Sequence, residues 1–358
     1  MKLRGLAVAA VLALSACTSS SAPRAHSVTK AGTPSPTPTP ISTATPTTGP
    51  EAASPPLPGA PRQFVAVLAG RLAVFDAASG HRLRWLTTHA ANVEDAYPHV
   101  VVDRAGTSVV FARLQPGVCA RADVLRVPLA GGMPKTVLRL NPSQFDALDV
   151  ERDGSALAYG VTSCRDSEPR IRVIALPSGR TLATATSRCC DNGVFSLGGL
   201  ALHGDRLTIS LGVHNSGWTA IMRVPGGRAV LLEKLPQIPT PSACGFGALG
   251  GHERLWSDQT LVTVESCNQG QRVTTSLVSY SGAALQHRRV DRVLDRDERG
   301  DDLSGSDGRG HFIGIHTLDI EGQYSRRILQ IGPHGQRLLA ECPDINGTQD
   351  SCATQAVW

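Results

Sequence analysis

Six glycine-bearing turns recur along the chain every 47 to 55 residues, and no other feature restricts the fold as strongly. They are Gly80 (AASG), Gly132 (AGG), Gly179 (PSG), Gly227 (PGG), Gly282 (YSG) and Gly335 (PHG). A tight turn between adjacent antiparallel strands needs a positive φ, which glycine reaches without a Cβ clash. Between these turns lie five segments that each start with a polar, mostly Gly-containing turn and continue as an apolar run. They are Asp103–Arg113 (DRAGTSVVFAR), Glu151–Val161 (ERDGSALAYGV), Ala201–Leu211 (ALHGDRLTISL), Leu255–Glu265 (LWSDQTLVTVE) and Gly305–Ile315 (GSDGRGHFIGI). A second run follows each, as in Arg170–Leu176 (RIRVIAL), with the period of two that marks strands. No stretch carries a long helical period. One unit of about fifty residues cannot cover both faces of its own sheet, so units of this size pack radially. The expected fold is all-β, a six-bladed β-propeller over residues 63–358. Phe64–Leu68 opens the first unit without an inner strand, and Ala353–Trp358 is a surplus β-like tail. That tail is expected to supply the missing strand and close the ring.

The amino terminus sets the expected location. Met1-Lys2-Leu3-Arg4 is basic, Gly5–Ala16 is small and apolar, and Leu14-Ser15-Ala16-Cys17 ends the run. About a dozen apolar residues are too few to span a bilayer and mark an export segment. The arrangement resembles the bacterial lipoprotein signal. It implies that residues 1–16 are removed, that Cys17 is lipidated, and that the chain hangs from the outer face of the cytoplasmic membrane. Residues 17–62 are rich in Pro, Ser and Thr, as in Thr33–Pro40 (TPSPTPTP). They are expected to be a disordered tether.

The net charge of +5 belongs to this leader. Lys2, Arg4, Arg24, Lys30 and Arg62 lie within it, with Glu51 as its only acid, leaving 30 basic and 29 acidic residues in the rest. A near-neutral body gives no electrostatic ground for nucleic-acid binding.

Arg152–Tyr159 (RDGSALAY) resembles the repeats of TolB-like six-bladed β-propellers, a likeness that extends over roughly residues 63–358.

Without Cys17, eight cysteines remain: Cys119, Cys164, Cys189, Cys190, Cys244, Cys267, Cys342 and Cys352. An even count in an exported chain favours disulfides. In the propeller register, Cys119, Cys164 and Cys267 fall in second-to-third loops and the others in connections between blades, so all eight map to one face. Cys342–Cys352 and Cys244–Cys267 are expected pairs; Cys119, Cys164, Cys189 and Cys190 admit three pairings or a zinc site. Long connections near residues 187–193, 235–246, 290–302 and 341–352 lie on the same face, where binding functions sit on rigid scaffolds.

Signatures of hydrolases, zincins and nucleotide-binding enzymes are absent. The acidic stretch Asp291, Asp295, Asp297, Glu298, Asp301 and Asp302 starts like a calcium loop, but Arg299 and Ser306 occupy ligand positions. It reads as a solvated loop neutralised by its own arginines. His311 and His316 bracket one expected strand on opposite faces. Glu94, Asp95, Tyr97 and His99 lead into the inner strand of the second unit, and Asp146 and Asp149 into that of the third. These six are the candidate channel or loop-face binding residues. The expectation is a monomeric surface module, without catalytic residues or cofactor, that binds an envelope protein or polymer. The alternative is a calcium- or quinone-dependent enzyme, lactonase-like or a dehydrogenase, working in the axial channel.

Overall fold

A computed structural model describes the chain from Leu57 to Trp358. Outside the described residues lie 1–56, 69, 88–99, 104, 116, 118, 152, 166–167, 188–194, 214–215, 227–228, 240, 242–243, 247–254, 258–259, 270–271, 297–300, 307–309, 321–322, 333–334 and 344–352. The chain divides into two units, residues 1–49 and 50–358, of which the first lies wholly outside the described part.

Strands dominate, and the described residues form six sheets. Sheet 1 holds β1 (Gln63–Leu68), β2 (Arg71–Asp76) and β3 (Arg82–Trp85). Sheet 2 holds β4 (Val100–Val102), β5 (Ser108–Leu114), β6 (Ala122–Pro128) and β7 (Lys135–Arg139). Sheet 3 holds β8 (Gln144–Val150), β9 (Ala156–Thr162), β10 (Pro169–Ala175) and β11 (Thr181–Thr186). Sheet 4 holds β12 (Phe195–His203), β13 (Arg206–Val213) and β14 (Ser216–Arg223). The next strand, β15 (Val230–Leu231), pairs in parallel with β11 and so extends sheet 3. Sheet 5 holds β16 (Cys244–Phe246), β17 (Leu255–Ser257), β18 (Thr260–Gln269), β19 (Arg272–Ser281) and β20 (His287–Arg296). Sheet 6 holds β21 (Asp301–Ser306), β22 (Phe312–Ile320), β23 (Gln323–Gly332) and β24 (Gly335–Pro343). The last strand, β25 (Ala353–Val357), returns to sheet 1 and pairs antiparallel with β1, with Val357 opposite Val65 and Ala356 opposite Ala66. Neighbouring sheets pack through their inner strands: β25 on β4, β4 on β8, β8 on β12, β12 on β17 and β21 on β25, with the second strand β18 of sheet 5 on β21. This is a β-propeller.

Period-two alternation places one set of side chains in each gap between sheets. On β2, Leu72 and Val74 join Val100, Val109 and Leu125 of sheet 2. Phe75 instead joins Ile313, Ile328 and Leu339 of sheet 6. Sheets 3 and 4 share the most extensive apolar layer, including Ala158, Ile171, Leu197, Leu207 and Ile209. Hydrogen bonds at the ends of sheets fix which ends share a face. Arg84 on β3 donates from Nε to the Leu129 carbonyl in the β6–β7 turn at 2.9 Å. Arg337 on β24 donates to the Ala77 and Ala78 carbonyls in the β2–β3 turn at 2.8 and 2.6 Å. The third-to-fourth-strand turns therefore lie on one face, and the second-to-third connections lie on the other.

Of the six repeat glycines, Gly80, Gly132, Gly179 and Gly282 have positive φ. Gly335 instead begins β24, and Gly227 lies outside the described residues. Residues 290–302 do not form the expected long loop. β20 continues to Arg296 and β21 begins at Asp301, because an outermost strand exposes both faces and needs no apolar alternation. The end of the expected tether is also structured. The Arg62 carbonyl accepts from Ala77 N at 2.8 Å, and the Pro58 carbonyl lies 3.0 Å from His311 Nε2. Leu57 packs near Gly332. Leu57 and the two prolines give this stretch apolar surface to bury, which the Thr/Ser-rich part lacks.

Candidate functional site

The face opposite the incoming amino-terminal segment is tied by a disulfide between neighbouring sheets. Cys119 lies between β5 and β6, and Cys164 lies between β9 and β10. Their bond joins sheet 2 to sheet 3 across 45 residues of sequence, with Cα atoms 6.0 Å apart. That settles one pair of the ambiguous four. Two second-to-third connections are thereby crosslinked.

Cys244 and Cys267 are also bonded. Neither, however, is in a loop. They face each other in register on β16 and β18, so the placement of Cys267 in a loop and of Cys244 in a connection between blades is corrected. Both β18 and β19 run ten residues, longer than the alternation suggested, and carry Cys267 into the ladder. Cys342 likewise lies within β24, opposite Arg326. Cys17, Cys189, Cys190 and Cys352 lie outside the described residues, as do Glu94, Asp95, Tyr97 and His99.

Cys244, Cys267 and Glu265 have donor atoms within 4.8 Å of one another, but this is not a metal site. The two sulfurs are bonded together. Glu265, fully buried, accepts from Tyr280 Oη on one oxygen, and from Arg288 Nε and Nη2 at 3.0 and 2.6 Å on the other. Burial and the Glu265 carboxylate together raise the Tyr280 phenol pKa, and the hydrogen bonds that Arg288 donates to Glu265 raise that of Arg288. A buried carboxyl group needs such hydrogen-bond partners to offset the loss of water.

The two described channel candidates, Asp146 and Asp149, are both buried and hydrogen-bonded. Asp146 is 3% exposed and occupies the bulge in β8 between Phe145 and Ala147. It accepts from Thr162 Oγ1 at 2.7 Å. Burial pushes its carboxyl up to about 7, against hydrogen bonds from Thr162 and Gln144. Asp149, also buried, accepts from the Leu202 N–H at 2.6 Å and so joins sheet 3 to sheet 4. Glu151 accepts from the Gly204 N–H at 2.8 Å across the same boundary. Asp149 thus links two sheets, a contact that its position near an inner strand did not reveal.

The acidic stretch is divided between strands. Asp291 and Asp295 lie in β20, Asp301 and Asp302 in β21, and Asp291 accepts from Arg289 Nε at 2.6 Å. His316 lies within β22 rather than at its end.

A cluster absent from the sequence expectations lies on the outer strands of sheet 1. The Arg71 and Arg82 guanidinium carbons sit 4.2 and 4.4 Å from the Trp85 ring centroid. The signal was present in Arg82-Leu83-Arg84-Trp85, where alternate basic residues precede an indole.

No family model matches the chain, and no curated protein matches it. Solved structures do. TolB from Acinetobacter baumannii aligns at a TM-score of 0.51 and 8% identity, covering 83% of this chain and 65% of that one. The chain thus spans about two thirds of TolB. The tricorn protease aligns at 0.47 and 12% identity, covering 79% of this chain and 30% of that one. The β-propeller domain of the Trilobed protease from Pyrococcus furiosus aligns at 0.38 and 10% identity, covering 65% and 68%. At these identities the likeness concerns architecture, and the chain has a TolB-like β-propeller fold.

Proposed function

We propose that this propeller is an extracytoplasmic binding module, hung from the membrane by lipid on Cys17, that holds an envelope protein or polymer on its disulfide-tied face. The Cys119–Cys164 bond carries the reading. A crosslink between connections of two different sheets immobilises a composite surface, which lowers the ordering cost of binding. Strand direction adds support. Residues 57–62 meet the β2–β3 turn and the start of β22, on the face opposite Cys119 and Cys164. Of the acids considered for channel chemistry, the two described ones are engaged, Asp146 by Thr162 and Asp149 by the backbone of sheet 4.

The test is capture from envelope extracts by the full chain and by a Cys119→Ala/Cys164→Ala variant. The expected result is a partner held by the parent and at least tenfold depleted with the variant, while both keep the same circular dichroism. Equal capture by both would remove the crosslinked face from the interaction.

A further inference from the structure

We propose that the Cys119–Cys164 bond is a thiol-reducible switch that couples and uncouples two loops of the crosslinked face. Each loop is already closed at its own base. Gln115 N–H donates to the Arg121 carbonyl at 3.0 Å between β5 and β6, and Ser163 N–H donates to the Glu168 carbonyl at 3.0 Å between β9 and β10. Beneath them, sheets 2 and 3 pack through an apolar layer that includes Val101, Val110, Phe145, Leu148 and Leu157. The bond thus spans loops whose bases, and whose sheets, are held without it. Cys119 and Cys164 are both exposed, so a dithiol in solution or on another protein reaches either sulfur.

The second disulfide lacks these properties. Cys244 and Cys267 are half-buried and sit opposite each other in the ladder of sheet 5, beside the pairs Gly245–Ser266 and Phe246–Glu265. Thiols opened there stay facing at high effective concentration and reclose. Cys119 and Cys164 lie between strands of two different sheets, outside any ladder, and part once the bond opens. Access of a thiolate to sulfur sets the rate of exchange, and exposed disulfides are the labile ones. One thiolate of the dithiol attacks an exposed cysteine sulfur, the S–S bond breaks, and the other cysteine leaves as a thiolate. The second dithiol sulfur then attacks the mixed disulfide, which frees the remaining cysteine and closes the dithiol as its own disulfide. Two electrons and two protons pass from the dithiol to the protein. The consequence for binding rests on the function proposed above: reduction lets the two connections separate and lowers capture of the partner. The order in which the two disulfides open does not depend on it.

The full chain is treated with dilute dithiothreitol for increasing times and quenched with iodoacetamide, and alkylation of each cysteine is followed by peptide mass mapping. Cys119 and Cys164 are expected to be alkylated at least about tenfold faster than Cys244 and Cys267, with unchanged circular dichroism. Hydrogen exchange in the two loops rises to the level of a Cys119→Ser/Cys164→Ser variant, and it falls back when oxidised glutathione restores the bond. Opening of Cys244–Cys267 first, or at the same rate, overturns the switch. So does loss of the sheet signal as Cys119–Cys164 opens, or loop exchange that stays the same. In the capture experiment, the selectively reduced parent is expected to hold the partner as poorly as the Cys119→Ala/Cys164→Ala variant, and reoxidation restores capture. Capture that survives selective reduction, although the alanine variant loses it, overturns the regulation. Equal capture by parent and alanine variant removes the binding reading and leaves the order of reduction standing, so the two readings fail separately.

Discussion

The boundary between sheets 3 and 4 and the boundary between sheets 6 and 1 solve the same packing problem differently. Sheets 3 and 4 share a continuous apolar layer, and β15 crosses between them to pair with β11. Gly226 N–H donates to the Leu182 carbonyl at 3.0 Å, and Asp149 and Glu151 accept backbone N–H groups of sheet 4. Sheets 6 and 1 meet where the two ends of the fold come together. Their apolar layer is smaller and includes Phe64, Ala356 and Trp358. Gln330 is fully buried with neither amide atom bonded, Arg337 Nε is orphaned, and so is Trp358 Nε1. Buried polar atoms without partners weaken a boundary by about 1–3 kcal/mol each. The comparison teaches that the 3–4 boundary combines area with cross-sheet hydrogen bonds, whereas the 6–1 boundary has a smaller apolar layer and leaves buried polar atoms unbonded.

The sharpest break in this comparison comes from deleting residues 353–358. The deletion exposes the β1 ladder and removes Ala356, Val357 and Trp358, all buried. Loss of cooperative unfolding by calorimetry is the expected outcome; a truncated chain that melts like the parent would show that sheet 1 does not need its fourth strand.

Next come two glycines with nearly the same backbone conformation. Gly80 has φ +71 and Gly179 has φ +70. A Cβ on Gly80 would lie 2.5 Å from the Leu339 carbonyl oxygen of sheet 6, while a Cβ on Gly179 would meet nothing within 4 Å. Gly179→Ala carries only the left-handed strain, about 1 kcal/mol. Gly80→Ala adds a backbone clash across the 6–1 boundary and is expected to cost about 3 kcal/mol. Urea denaturation measures both, and equal losses would mean that the two sheets separate without resistance at this point. Arg337→Met belongs to the same set. Its burial lowers the guanidinium pKa, and the substitution leaves the Ala77 and Ala78 carbonyls without donors. A loss of about 2–3 kcal/mol is expected in the same assay.

Much of this architecture was legible in the chain. The Gly80, Gly132, Gly179 and Gly282 turns announce their conformation, and apolar alternation marked β5, β9 and β13 because each is buried on both sides. Outer strands were harder to read. β20 carries Arg289, Asp291 and Arg292 and exposes Val290 and Val293, so no burial pattern separates it from a charged loop. β15 has two residues and a parallel partner over forty positions away, which no local pattern encodes. The Cys119–Cys164 pairing depends on how two sheets are juxtaposed, a tertiary fact. Asp146 and Asp149 could be placed near an inner strand from sequence, but their partners Thr162 and Leu202 were beyond that reading.

The smallest expected effect concerns pH and one bulged residue. The Asp146 carboxyl stands at about 7 in the fold against 3.8 ordinarily, with burial as the main cause. The folded state therefore holds a proton that the unfolded chain has released between these values. Stability contributed by this group is fully present below about pH 4 and declines as pH rises through about 7. Asp146→Asn keeps the shape of the neutral acid and its contact with Thr162, but cannot ionise. Its stability should be flat where the parent loses about 1–2 kcal/mol between pH 5.5 and 8. Parallel slopes for parent and variant over that range would show that Asp146 is ionised in the fold. The bulge would then have to admit a solvated charge, and the inner edge of sheet 3 would be open to the channel after all.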